Sequence, residues 1–144
     1  MCSFPSVHFT SEKGLALQLV NDTGAVSVKG SVVKASTSVE EGFSLQTAEY
    51  DTIGIVYQNG VTNGNRCLVV ITGIAEVLLA DGTASTMGNW VLASATDGRA
   101  DATQNIPPGG GVQEHDEHFK EIGHCLETKS SGTDVLAKVL LHFN

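Results

Sequence analysis

Cations, cysteine, proline and aromatic residues are all scarce in this sequence, and each scarcity closes off a class of protein. Lys and Arg number 8 against 16 Asp and Glu, giving a net charge of −8. The few cations are scattered. Holding a nucleic-acid backbone requires a basic patch that displaces counterions, so no nucleic-acid partner is expected. The cysteines are three, Cys2, Cys67 and Cys125, with no CxxC spacing and no even set for a disulfide framework. No apolar run reaches the ~18 residues of a membrane span, so no membrane partner is expected either. The start, MCSFPSVHFTSEKG, has no basic segment followed by an apolar one. Reduced thiols are therefore expected, and the Asn21-Asp22-Thr23 sequon carries no expectation of glycosylation.

What is present is a β pattern. A chain of 144 residues is of single-domain length and buries roughly 68–70% of its unfolded surface. The segment LALQLV alternates from Leu15 to Val20. DVLAKVLLHF alternates too, with Val135, Ala137, Val139, Leu141 and Phe143 on one face and Lys138 and His142 on the other. CLVVITGIAEVLLADG is rich in β-branched residues and interrupted by Gly73, which suits two strands meeting there, closed by a turn at Asp81-Gly82. Only QEHDEHFKE suits a short helix. Pro107, Pro108 and the three glycines after them oppose helix and central strand, so residues 97–117 are expected to form a long loop. The fold class implied is all-β: a compact barrel- or sandwich-like domain with at most one short helix. Residues 1–14 read as an N-terminal arm and 15–144 as the domain.

Two segments echo each other. GSVVKAS (Gly30 to Ser36) is similar to GNWVLAS (Gly88 to Ser94), and YDTIGIV (Tyr50 to Val56) to FKEIGHC (Phe119 to Cys125). The second copy is 11 residues longer between these landmarks, 34 positions from Gly88 to Ile122 against 23 from Gly30 to Ile53. Two similar β units are implied, with Ile53 and Ile122 buried at equivalent places.

The richest chemistry lies in GVQEHDEHFKEIGHC, residues 111–125, with three histidines, a cysteine and four carboxylates. His115 and His118 share a helix face at i, i+3, but the i, i+4 pair of a metalloprotease is missing. His8 and His142 stand isolated in the sequence. The repeat places His124 and Cys125 opposite Ile55 and Val56, so both read as strand residues, Cys125 as a small buried hydrophobe. No nucleophile elbow, P-loop or dinucleotide fingerprint is present. No metal and no cofactor are expected. Trp90 stands where the first unit has Val32, which suits core or subunit interface.

Three segments together resemble the small phage head decoration, or capsid cement, proteins. They are LVNDTGAVSVKGSVVKAS, then TIGIVYQNGVTNGNRCLVVITGIAEVLL, then MGNWVLAS followed by EIGHCLETKSSGTDVLAKVLL. In order they match the family's Asn-x-Thr-Gly turn and Lys-Gly-x-Val-Val, its Ile-Gly-x-Val and Gly-Ile-x-x-Val, and its Ile-Gly-x-x-Leu-Glu with a final strand. The resemblance spans roughly residues 15 to 143. It implies a structural virion protein with no enzyme activity, made in the host cytoplasm. Its partners would be the major capsid protein and, as a homotrimer, itself. Its place would be the outer surface of the capsid, where it stabilises the head. The partly apolar lead, with Phe4, Pro5, Val7 and Phe9, and the single Trp90 are the expected contacts. The competing readings are a β-barrel metal enzyme using His115, His118 and His124, and a β-sandwich ligand-binding module for glycans.

Overall fold

The computed structural model of the chain describes residues 7–47, 51–104 and 120–143. Every regular element among them is a strand. In chain order these are β1 (Val7–Phe9), β2 (Gly14–Asn21), β3 (Val32–Ala35), β4 (Gly42–Leu45) and β5 (Thr52–Val56). Then follow β6 (Arg66–Leu78), β7 (Trp90–Ala93), β8 (Ala100–Thr103), β9 (Glu121–Cys125) and β10 (Leu136–Leu141). The sheet order is β1-β2-β4-β3-β5-β6-β10-β9-β7-β8, and β2 pairs in addition with β6. That extra pairing closes β2, β4, β3, β5 and β6 into a five-stranded barrel. The fold class is all-β, as the periodicity implied.

The repeat read in the sequence is the plan of the sheet. In the first unit Val32 pairs with Ile55 and Val33 with Gly54, and the register shifts before Lys34 meets Thr52. In the second, Trp90 pairs with His124 and Val91 with Gly123, and the register shifts before Leu92 meets Glu121. Both units therefore carry a bulge at the same place. β4 and β8 are matched as well: Val33 faces Leu45, and Val91 faces Ala102. The first barrel closes through the parallel contact of Asn21 with Phe43, and Asp22 N–H donates to Phe43 O at 2.8 Å. The second closes through a single parallel bridge, Leu79 to Ala100, and Ala80 N–H donates to Ala100 O at 2.8 Å.

β6 belongs to both units. Residues 66–73 of it pair with β2, and residues 73–78 with β10. The expected break at Gly73 is instead a bend inside one strand of 13 residues. Gly73 takes φ +84°, and a Cβ there would stand 2.6 Å from Lys13 O. Only glycine combines that backbone with that approach. The Asp81-Gly82 turn is present, closed by Thr83 N–H donating to Ala80 O at 3.0 Å.

The cores repeat too. Val33, Phe43, Val56, Cys67 and Val69 fill the first barrel, and Val91, Ala100, Cys125, Ala137 and Val139 take the matching places in the second. Ile122 is fully buried among the latter, while Ile53 is only partly buried against the former. The expectation that both are core residues thus holds for Ile122 and is corrected for Ile53.

Two more expectations change. The stretch 97–117 is not all loop, because Ala100–Thr103 forms β8 along β7. Alternating small residues in ADAT carry too little apolar signal to mark it as a strand. Residues 105–119, including most of the suggested helix, lie outside the described residues, and its last residue, Glu121, opens β9. Of the N-terminal arm, Val7, His8 and Phe9 form β1, paired to Leu17, Ala16 and Leu15, and residues 10–13 turn the chain into β2.

Asn21 explains the Asn-x-Thr turn. It is fully buried. Its Nδ2 donates to Ala25 O and Val61 O, both at 2.9 Å, and its Oδ1 accepts from Thr23 N and Thr23 Oγ1. This amide is a buried turn-former with all its hydrogen bonds made.

Candidate functional site

A regular strand sends residues three apart to opposite faces. β9 does not, because the bulge opposite Val91 and Leu92 inserts an extra residue and resets the alternation. Ile122 and Cys125 consequently both enter the core. Glu121 and His124 come together instead, with Oε1 3.9 Å from His124 Nδ1. The end of β10 brings the third member. Leu140 pairs with His124, and His142 N–H donates to Ile122 O at 2.8 Å. The His142 ring thus reaches His124, with Nε2 2.7 Å from His124 Nδ1 and 3.0 Å from Glu121 Oε1.

His142 is therefore not isolated, as the sequence suggested. Residues 18 apart in the chain meet through strand register, which local spacing does not reveal. The two imidazoles stack with centroids 4.9 Å apart, and the Trp90 indole lies 4.4 Å from His124. Burial is graded across the cluster. The Glu121 side chain is 2% exposed, His124 34% and His142 43%. One side of the cluster is the protein interior and the other is open to solvent. Cys125 takes no part: it is buried in the core as a free thiol, and burial pushes its pKa up.

Of the residues singled out in the sequence, Phe4, Pro5, His115 and His118 lie outside the described residues. Val7 and Phe9 are on β1 with 41% and 88% of their surface exposed. Trp90 is half-buried against His124. It is the first of a row of cross-strand neighbours, Trp90, His124, Leu140 and Ile74. The matching row in the first unit is Val32, Ile55, Val70 and Ala16. That row is buried in the cluster that also fills the second barrel. The second row is open, with Leu140 at 45% and the adjoining Leu126 at 44% exposure.

No protein-family model and no curated protein sequence matches the chain. The architecture defines a class of all-β chain built from two barrel units that share one long strand. A solved structure has this fold. It is described as the head fiber gp8.5 N base in bacteriophage phi29, with a TM-score of 0.56, 13% identity, and coverage of 88% of this chain and 92% of that one.

Proposed function

We propose that this chain is a structural protein of a phage head. It binds the outside of the assembled capsid as a homotrimer, with the major capsid protein as partner, and catalyses no reaction. The observation that carries the reading is the likeness of fold to a phage head fiber base over nearly the whole of both chains. The motifs by which the sequence resembles head decoration proteins point the same way.

Two surfaces suit the role. Phe9 and Val7 present apolar surface on edge strand β1, next to the segment that holds Phe4 and Pro5. Trp90, Leu126 and Leu140 present apolar surface on the second unit. Apolar side chains grouped at a surface mark sites of association. A trimer on a shell engages several symmetry-related sites together, so weak single contacts sum to high avidity. A protein that binds only the assembled shell stabilises it by mass action.

The test combines sedimentation of the free chain with co-sedimentation on assembled capsids. A trimer that binds capsids and raises their disruption temperature supports the reading. A chain that stays monomeric at high concentration and leaves capsid stability unchanged overturns it.

A further inference from the structure

We infer that Glu121, His124 and His142 form a binding site for one divalent cation of the zinc class. Three donor atoms converge, His124 Nδ1, His142 Nε2 and Glu121 Oε1, with separations of 2.7, 3.0 and 3.9 Å. A tetrahedral zinc ion with bonds of about 2.0–2.2 Å holds its ligand atoms about 3.3 Å apart. The three separations bracket that value. The buried member is the carboxylate, and the two imidazoles stand between it and solvent. An ion at the centre would have half its charge balanced from inside the protein, by Glu121, and would be reached from outside.

The donor set selects the metal. Two imidazole nitrogens with one carboxylate oxygen suit zinc and its transition-metal neighbours. Calcium and magnesium prefer sites made of oxygen alone. Three protein ligands leave a fourth position, which faces solvent on the His142 side and is open to water or to a ligand from a partner. The Trp90 indole against His124 restricts the ring that must be held in place.

The first unit supplies an internal control. Register places Thr52 where the second unit has Glu121, Ile55 where it has His124, and Thr72 where it has His142. The same strands and the same bulge form there without a single histidine or carboxylate. The fold itself therefore does not require the cluster. Among the described residues, the three ligands occur together only where the face is open.

This inference does not rest on the proposed function, and its test needs no capsid. The full-length chain, purified without an affinity tag and treated with chelator, is titrated with zinc alone and then with cobalt(II). One zinc per chain, a higher melting temperature on addition, and the visible absorption of four-coordinate cobalt are the expected results. His142→Ala changes a half-exposed side chain, and Glu121→Gln keeps the shape of the buried one. Each should weaken zinc binding at least tenfold, while His8→Ala on β1 should leave it unchanged. Failure of the wild-type chain to bind zinc at micromolar concentration overturns the inference. So does binding that survives in both His142→Ala and Glu121→Gln.

Discussion

His124 occupies in the second unit the place that Ile55 occupies in the first. Ile55 pairs with Val32 and Val70 and is fully buried; His124 pairs with Trp90 and Leu140 and keeps a third of its side chain exposed. One row of the repeat has become core and its counterpart has become surface. Burial explains the residue types. A covered row needs Val, Ile, Val and Ala, which bury no polar atoms. An open row tolerates Trp and His, which offer an apolar body and a polar edge.

The two rows should respond differently to truncation. Ile55→Ala leaves a cavity in a closed core and should cost about 2–5 kcal/mol. Leu140→Ala, at 45% exposure, should cost less than about 1 kcal/mol, as read from denaturant midpoints of the isolated chain. Under the proposed function, Leu140→Ala and Trp90→Ala should weaken capsid binding or trimer formation more than they weaken folding. Loss of both in equal measure would assign this face to the core instead.

Ile122→Asp should unfold the chain or cost several kcal/mol, because an unpaired carboxylate would enter a sealed interior. Ile53→Asp should cost clearly less, since Ile53 is only partly buried. Equal costs, measured by thermal melts under one condition, would contradict the difference in burial.

The paired Ile-Gly motifs have one cause. At Gly54 a Cβ would stand 2.7 Å from Val70 O, and at Gly123 a Cβ would stand 1.9 Å from Leu140 O. In both units the neighbouring strand passes too close for a side chain. Gly54→Ala should cost about 1–3 kcal/mol, the range for overpacking. Gly123→Ala should cost more, because its clash with the neighbouring backbone is closer, 1.9 Å against 2.7 Å. If both variants melt with the wild type, the close approach is absent in solution.

Much of this architecture was legible in the sequence. Strict alternation marked β2 and β10, and the twin segments GSVVKAS and GNWVLAS located β3 and β7. The 11-residue offset between copies is the offset between their strand pairings. What was illegible depends on register. A bulge leaves no mark in composition, so the shared face of Glu121 and His124 could not be read. The approach of His142 depends on the Leu140–His124 pairing, a contact between separate strands. β8 hid because Ala-Asp-Ala-Thr has almost no apolar contrast. β6 read as two strands because glycine signals a break and a bend alike.

Lys29 ties the loop before β2 to the shared strand, and its removal should show a defined pH dependence. Its Nζ lies 3.1 Å from Glu12 and 2.9 Å from Glu76, and 5.1 Å from the centre of the Tyr57 ring. Burial alone would lower the pKa of Lys29, but the hydrogen bonds and charges of Glu76 and Glu12 outweigh it and hold the ammonium above its ordinary 10.5. Burial alone would likewise raise Glu12, but hydrogen bonds from Ser11 and Lys29 and the charge of Lys29 hold it below its ordinary 4.5. A lowered carboxylate stabilises the fold above its unfolded pKa, and that contribution is lost as pH falls through the folded value. A raised ammonium stabilises the fold below its unfolded pKa, and that contribution is lost as pH rises through the folded value. The network is therefore at full strength between 4.5 and 10.5. Its members are partly exposed, so Lys29→Met should cost only on the order of 1 kcal/mol near neutral pH. The gap between wild type and variant should narrow in acid below 4.5 and in base above 10.5, and at neutral pH it should shrink with added salt. Urea midpoints of both proteins across that range decide it, and a gap independent of pH and salt would mean that Lys29 acts through its packing on Tyr57 alone.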